Sequence, residues 1–290
     1  MFRGSAVALV TPMTTTGEVD DAALEKLVEW HIANGTDALV AVGTTGESAT
    51  LDMAEHQRVV AKIVALTRQR VPVIAGTGAN ATAEAVALTR HAEAAGADAC
   101  LSVVPYYNKP TQEGLYRHFQ AVATATTLPV ILYNVPGRTA CDLQPDTVVR
   151  LAAITNIGGI KEASTLERID TLLTRLPGDF AVYSGEDALA CEAMLRGAKG
   201  VISVTANAAP KAMAELCRLA LAGRWEEALA LDQGLQALHK ALFIESNPIP
   251  VKWALARLGL MANGIRLPLT PLADAHHRAV ETALAEAGLL

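Results

Sequence analysis

The sequence is poor in charged and aromatic residues and has no excess of positive charge. Of its 290 residues, 19% are charged and 4% are aromatic, whereas 51% are hydrophobic. The 24 basic and 30 acidic residues give a formal net charge of −6, so nothing favours contact with the phosphate backbone of a nucleic acid. The hydrophobic share argues against disorder, and at this length it predicts one sizeable folded core.

Cysteine is also scarce, and its spacing argues against a metal or disulfide framework. The sequence has no Cys-x-x-Cys pair, and no histidine or acidic residues are spaced like metal ligands. We therefore expect no metal, no cofactor and a cytoplasmic protein with free, mostly buried thiols. His91 and His118 lie on predicted helices and are interpreted as surface residues. The four cysteines are Cys100, Cys141, Cys191 and Cys217.

No uninterrupted apolar segment is long enough to cross a membrane. Residues 119–137 carry no formal charge, but Pro129 and Pro136 interrupt the helix that a crossing needs. The short apolar run near the N-terminus meets Pro12 and lacks the cleavage site of a signal peptide, so it predicts a first strand. We expect no membrane partner.

Short β-branched segments alternate with amphipathic segments rich in Ala and Leu. This alternation predicts an α/β fold in which eight parallel strands close into a (β/α)8 TIM barrel. A doubly wound open sheet is the alternative, but the first strand is not followed by the Gly-rich fingerprint usual for that fold. The predicted strands are Ser5–Val10, Asp37–Val42, Val71–Ala75, Asp98–Val104, Pro129–Asn134, Asn156–Glu162, Phe180–Ser184 and Gly200–Val204.

After residue 223 the alternation stops and only helical segments follow. We expect residues 1–223 to form the barrel and residues 224–290 to form a small C-terminal helical bundle packed on it. The helical segments of this extension are Arg224–Ile244, Pro248–Leu258 and Pro271–Leu289. Within the barrel, four polar residues are predicted helix N-caps: Asp20, Asp52, Thr82 and Thr165.

The C-terminal ends of the strands carry the candidate reactive residues, as is usual in such barrels. The predicted sixth strand ends near Lys161, after an apolar run that contains two glycines. An amine inside the barrel loses solvation, which lowers its pKa and makes it a nucleophile toward a carbonyl. An outward-pointing lysine in a surface salt bridge is the alternative. The fifth strand ends near Tyr133 and Arg138, a pair suited to proton transfer beside an anionic substrate.

Two further strand ends are less specific. Residues 43–48 form a Gly-rich loop whose amides suit a small carboxylate, although an ordinary turn explains the loop equally well. Tyr106 and Tyr107 follow the fourth strand, and buried aromatic packing explains Tyr106 at least as well as catalysis does.

Eight motifs at the strand ends and in the C-terminal segment form one characteristic set. They are GTTGES (43–48), VIAGTGAN (73–80), PYYNKP (105–110), YNVPGRT (133–139), GIKEA (159–163), SGED (184–187), GVISVTAN (200–207) and NPIPVKW (247–253). Together they resemble the 4-hydroxy-tetrahydrodipicolinate synthase (dihydrodipicolinate synthase) family of pyruvate-dependent class I aldolases. The resemblance covers nearly the whole chain and implies a lyase of lysine and diaminopimelate biosynthesis that condenses pyruvate with L-aspartate 4-semialdehyde. Arg138 and Tyr107 favour this reaction over a sugar-acid lyase such as N-acetylneuraminate lyase or a keto-sugar-acid aldolase.

A barrel without catalysis and a barrel that binds phosphate both fit the residues less well. A non-catalytic barrel has no need of both Lys161 and Tyr133. A phosphate-binding barrel needs glycines after the eighth strand, where residues 205–210 have none.

The resemblance also implies roles for individual residues. Lys161 forms a Schiff base with pyruvate, and Tyr133 relays protons together with Thr44 and Tyr107. In a homotetramer built as a dimer of dimers, Tyr107 reaches the site of the partner subunit. The implied substrate-binding residues are Thr45 for the pyruvate carboxylate, Arg138 for the semialdehyde carboxylate, and Gly185 and Ile202 for backbone contacts.

Finally, the resemblance implies a feedback site for L-lysine between two subunits. Glu84 pairs with the α-ammonium group of the ligand, and His56 and Asn80 offer polar contacts. Sensitive members have a histidine where this chain has Met53, so we expect weak or partial inhibition. Taken singly, each of these residues is better explained as helix surface around a turn, whereas the six matches together favour a site. The implied lysine-site residues are Ser48, Ala49, His56, Asn80, Glu84 and Tyr106.

Overall fold

Eight parallel strands close into one barrel in the computed structural model, which describes residues 1–290. Each strand pairs with the next along the chain, and the eighth pairs with the first. The predicted (β/α)8 barrel is therefore confirmed, and all eight predicted segments overlap a strand. The strands are β1 Gly4–Ala8, β2 Ala38–Ala41, β3 Val73–Gly76, β4 Ala99–Val103, β5 Val130–Asn134, β6 Ile157–Glu162, β7 Ala181–Ser184 and β8 Gly200–Ser203.

The barrel wall separates two apolar clusters. A cluster of 14 buried residues takes alternate positions along the strands, such as Ala6 and Ala8 on β1, and fills the barrel interior. A second cluster of 68 residues fills the space between the barrel and the helices. Because both faces of each strand are buried, the strands read in sequence as short continuous apolar runs.

The helices that follow the strands begin mostly where polar caps predict. The Asp20 carboxylate accepts hydrogen bonds from two first-turn amides, Asp52 forms a reciprocal capping box with Glu55, and Thr165 caps its helix. The helices are α1 Asp21–Ala33, α2 Met53–Thr67, α3 Thr82–Ala94, α4 Gln112–Thr124, α5 Pro136–Thr139, α6 Pro145–Leu151, α7 Leu166–Arg175, α8 Ala190–Arg196 and α9 Pro210–Leu221.

Two predictions about side chains in this layer are wrong. Thr82 is the first residue of α3 rather than its cap, and its Oγ1 lies 2.9 Å from His118 Nδ1. His118 is 4% exposed, so it is not a surface residue. The hydroxyl partner explains both results, because it allows a neutral imidazole to be buried between α3 and α4.

Three further helices follow the barrel, as predicted, although each is one to three residues shorter at its ends. Helix α10 packs against α9 and α12, and α11 packs against α12. The division of the chain into two units at residue 223 stays a prediction. None of the helices has both the length and the apolar character needed to cross a membrane. The C-terminal helices are α10 Trp225–Ala241, α11 Ile249–Arg257 and α12 Asp274–Glu286.

Candidate active site

Lys161 and Tyr133 lie side by side in the upper layer of the barrel interior. The sheet register pairs Tyr133 with Lys161 and Lys161 with Tyr183, so the three side chains share the inner face. The Lys161 Nζ lies 4.4 Å from the centroid of the Tyr133 ring, and the two residues are 5% and 7% exposed. The amine points into the barrel, so the interpretation as an outward salt bridge is wrong.

The surroundings of Lys161 favour its neutral, nucleophilic form. Burial lowers the pKa of the amine to about 8, while the nearby carboxylates of Asp187 and Glu186 act in the opposite direction. Asp187 is itself buried, and its Oδ2 accepts hydrogen bonds from the backbone N–H groups of Val204 at 2.9 Å and Thr205 at 3.0 Å. At pH 7 about a tenth of the amine is therefore neutral and able to attack a carbonyl carbon, far more than for an ordinary lysine.

Tyr133 is held in its protonated form. Burial raises the pKa of the phenol to about 12, and Arg138 and the Thr44 hydroxyl counteract this shift only in part. A phenol in this state is a weak acid that keeps its proton, so it exchanges protons with a reacting group only in concert with a neighbouring hydroxyl. Thr44, in the loop after β2, provides such a hydroxyl, which is hydrogen-bonded to the phenol.

The loop of residues 43–48 forms a tight turn with unused amides. The N–H of Glu47 donates to Thr44 O at 3.1 Å and that of Ser48 donates to Gly43 O at 3.3 Å, while the N–H groups of Thr44 and Thr45 have no acceptor within the chain. A Cβ on Gly46 would lie 2.9 Å from Val42 Cα, so only glycine fits there. Free N–H groups beside a buried hydroxyl suit a carboxylate ligand.

Gly185 lies against the side chain of Lys161, and Ile202 lies in the barrel interior. A Cβ at Gly185 would lie 3.0 Å from Lys161 Cε and 2.7 Å from Ala163 Cβ, so the glycine leaves room for the lysine side chain. Ile202 on β8 is fully buried in the interior cluster.

Arg138 stands at the mouth of the barrel on the short helix α5. Its Nη2 donates to the backbone oxygen of Asn247 at 3.2 Å. A cavity of about 210 Å³ is lined by both Arg138 and Thr44, which is room for a small carboxylic acid at the barrel mouth. The geometry thus provides a nucleophile, a proton donor and two separate places for carboxylates.

A sequence profile of the Dihydrodipicolinate synthetase family matches residues 1–287. The chain belongs to this family. A relative from Alkalilimnicola ehrlichii, named 4-hydroxy-tetrahydrodipicolinate synthase, is 61% identical over 290 residues, which cover 100% of both chains.

Two solved structures of this family are similar along their full length. The chloride-inhibited dihydrodipicolinate synthase of Acinetobacter baumannii, complexed with pyruvate, matches with a TM-score of 0.99 and 57% identity over 100% of both chains. The dihydrodipicolinate synthase of Cyanidioschyzon merolae with lysine bound matches with a TM-score of 0.96 and 39% identity over 99% of both chains.

Tyr107 is the one predicted catalytic residue that this member of the dihydrodipicolinate synthetase family does not bring to Lys161 within one chain. It is 88% exposed, and its φ of 74° lies in the left-handed region that non-glycine residues rarely adopt. Its N–H donates to Thr139 O at 3.4 Å, which ties the exposed loop to α5.

Four of the six predicted lysine-site residues line one small cavity next to the active site. Its lining includes Met53, which is 39% exposed, and His56, which is 5% exposed. Burial lowers the pKa of His56 to about 4, so the imidazole is neutral at pH 7. The lining residues are Ser48, Leu51, Met53, His56, Gly78, Glu84, Leu88 and Tyr106.

The remaining two predicted lysine-site residues lie outside this cavity. Ala49 lines the active-site cavity instead. Asn80 lines neither cavity, and its backbone oxygen accepts a hydrogen bond from Asn108 Nδ2 at 2.8 Å.

Sequence reasoning missed a role for Asn247. Its Nδ2 donates to Thr45 Oγ1 at 3.0 Å, and its backbone oxygen accepts from Arg138, so it connects the two candidate carboxylate-binding residues. The only available signal is its place in the NPIPVKW segment between two helices.

The chain has no group of three or more His, Cys, Asp or Glu side chains that could hold a metal ion.

Proposed function

We propose that the chain condenses pyruvate with L-aspartate 4-semialdehyde to form 4-hydroxy-tetrahydrodipicolinate. The observation that carries the proposal is the buried Lys161 amine, whose pKa is lowered to about 8 beside the protonated phenol of Tyr133. The full-length relatives that bear this enzyme's name and the pyruvate complex of the Acinetobacter enzyme support it.

The reaction proceeds through a covalent intermediate on Lys161. The amine attacks the ketone carbon of pyruvate, and loss of water gives the imine, for which Tyr133 supplies the proton to the leaving hydroxyl. The Tyr133 phenolate left by this step takes a methyl proton, which gives the enamine. The enamine adds to the aldehyde carbon of the semialdehyde, and the phenol returns the proton to the aldehyde oxygen. The substrate's own amine then attacks the imine carbon, closes the ring and releases Lys161.

The other residues hold the two substrates. Thr45 and the free amides of its loop bind the pyruvate carboxylate, and Thr44 passes protons between Tyr133 and the reacting atoms. Arg138 binds the carboxylate of the semialdehyde through two parallel hydrogen bonds, which a lysine does not match. Gly185 and the carbonyl oxygen of Ile202 supply backbone contacts.

Borohydride reduction tests the central step. Reduction in the presence of pyruvate is expected to add the pyruvate-derived mass to the peptide that contains Lys161, and a Lys161→Arg variant is expected to show no such mass. Trapping on a different lysine, or no trapping at all, contradicts the assignment. A coupled assay with each candidate aldehyde then separates the synthase from a sugar-acid lyase.

The proposal extends to a homo-oligomer, a tetramer built as a dimer of dimers. An exposed Tyr107 with a strained backbone suits a side chain that completes the site of a neighbouring subunit. Mixing inactive Tyr107→Phe chains with inactive Lys161→Ala chains is expected to restore activity, because one site of each hybrid dimer is complete. If each chain supplies its own Tyr107, mixing restores nothing.

The cavity between Ser48 and Glu84 is proposed as the L-lysine feedback site. The Glu84 carboxylate offers an ion pair to the α-ammonium group, and the Cyanidioschyzon relative has lysine bound. Because Met53 gives no hydrogen bond, the inhibition is weak or partial. Calorimetry and lysine titration at sub-saturating pyruvate test this; no heat and no inhibition at millimolar lysine remove the site.

The proposed reaction takes place in the cytoplasm. All four cysteines are free and buried, which suits a compartment that keeps thiols reduced. Fractionation of the source cells with an antibody to the chain tests this location.

A further inference from the structure

A buried ion pair connects the loop of residues 43–48 to the C-terminal helices. The Lys252 ammonium on α11 donates to the Glu47 carboxylate, and their side chains are only 1% and 0% exposed. The second carboxylate oxygen accepts the backbone N–H of Arg266 at 3.3 Å. Since the paired residues are 205 positions apart in sequence, the contact forms only when the C-terminal helices have docked on the barrel.

Glu47 holds the part of the loop that carries the two threonines. It adopts a φ of 58°, an unfavourable conformation for a residue with a side chain, and such conformations persist only where surrounding contacts enforce them. Its N–H closes the turn on Thr44 O, and its carbonyl oxygen accepts the N–H of Thr50 at 2.9 Å. The position of Glu47 therefore determines where Thr44 and Thr45 lie relative to Lys161.

Stability alone does not account for this pair. Removing two charges from water is unfavourable, and an apolar pair of similar volume often gives an equally stable protein. The side chains of the pair bond to each other and to the Arg266 backbone rather than to Lys161 or Tyr133, so their effect on the reaction must pass through the loop.

We propose that Glu47 and Lys252 are positioning residues that fix the carboxylate-binding loop over the Lys161 amine. This inference rests on the proposed function, in which Thr45 and its loop amides bind the pyruvate carboxylate. It makes the pyruvate site depend on the docking of α11, although α11 itself contacts no substrate.

Three variants and one control test the pair. Lys252→Met removes the cation, and Glu47→Gln keeps the shape of the side chain and the oxygen acceptor for Arg266. The double variant Glu47→Gln/Lys252→Met leaves no unpaired buried charge. Arg257→Met is the matched control, because Arg257 lies on the same helix and forms an exposed ion pair with Glu281 at 2.7 Å.

The readouts are the KM for pyruvate, the pyruvate concentration that gives half-maximal borohydride trapping, and the Tm. Lys252→Met is expected to lower the Tm and to raise both pyruvate concentrations about tenfold, as when one charge-assisted hydrogen bond to a carboxylate is misplaced. The double variant is expected to recover the Tm while both concentrations stay raised. Arg257→Met is expected to match the wild type.

The outcomes separate this inference from the proposed function. If the pyruvate KM recovers together with the Tm in the double variant, or is unchanged in all variants, the pair has no positioning role. If Lys252→Met does not fold, the pyruvate KM of Glu47→Gln decides. A raised KM supports the positioning role, and an unchanged KM overturns it. If borohydride does not trap pyruvate on Lys161 of the wild-type protein, the proposed function itself fails. If the wild type is trapped and the variants have the same pyruvate KM as the wild type, only the role of the pair is overturned.

Discussion

The buried amine of Lys161 makes the proposed nucleophile a destabilising residue, and one substitution measures this effect. Burial lowers its pKa from the ordinary 10.5 to about 8, so the folded protein binds the proton less tightly than the unfolded chain does. At about 1.4 kcal/mol per pKa unit, this difference corresponds to about 3 kcal/mol at neutral pH. Lys161→Met keeps an unbranched side chain and removes the charge, so we expect the free energy of unfolding to rise by up to that amount.

The pH dependence of the stability gain identifies its cause. Because the pKa is depressed in the folded state, the penalty is fully present below pH 8 and disappears as the pH rises toward 10.5. Calorimetry at matched protein concentration is expected to show a Tm about 6 °C higher for Lys161→Met at pH 7, with the advantage shrinking above pH 8.

A surface lysine provides the control for this experiment. Lys240 is exposed near the end of α10, and Lys240→Met is expected to change the Tm by no more than about 1 °C at any pH. A Tm difference for Lys161→Met that is absent at pH 7, or constant from pH 7 to pH 10, would refute the reasoning that the amine is desolvated.

Three further substitutions test individual contacts. Arg138→Ala is expected to leave pyruvate trapping nearly intact and to lower kcat/KM for the semialdehyde about ten- to hundredfold, the loss of a charged hydrogen bond; equal damage to trapping contradicts this role. Gly185→Ala places a Cβ 3.0 Å from Lys161 Cε and so displaces the amine. The rate at which pyruvate is trapped on Lys161, measured by rapid quench, is expected to fall about tenfold or more. An unchanged rate means that the lysine tolerates this displacement. Met53→His adds a polar group to the cavity that contains Glu84, so the L-lysine concentration for half-inhibition is expected to fall about tenfold. An unchanged concentration means that water already bonds to the ligand at this position in the parent chain.

The barrel was predictable because the sequence signals of its strands and helices are local. Parallel strands buried on both faces give continuous apolar runs, and helix starts such as Asp52 with Glu55 satisfy each other within one turn. Thr82 and His118 could not be interpreted in this way. Their hydrogen bond joins residues 36 positions apart, and nothing near either residue distinguishes a buried polar pair from two surface groups.

The candidate site likewise has residues that local sequence patterns predict and residues that depend on contacts distant in sequence. Lys161 and Tyr133 were found because each ends a strand, and the register of a closed barrel brings adjacent strand ends together. Asn247 and Lys252 were not predicted as site residues because their partners Thr45 and Glu47 lie more than 200 positions away. Neither the segment before α11 nor α11 itself carries a local pattern typical of a site. The proposed placement of Tyr107 in a neighbouring site depends on a second chain, and one sequence holds no record of that geometry.

The shared wall between the two cavities leads to a last prediction. Ser48, Gly78 and Tyr106 line both the active-site cavity and the proposed lysine cavity, so a ligand that moves any of them changes both sites. Coupling of this kind is reciprocal, because the free energy of binding both ligands does not depend on the order of binding. We therefore expect saturating pyruvate to change the Kd of lysine by the same factor by which saturating lysine changes the Kd of pyruvate, measured by calorimetry without the second substrate. If neither ligand changes the Kd of the other, the wall is rigid and any inhibition by lysine acts only on the later steps at Arg138.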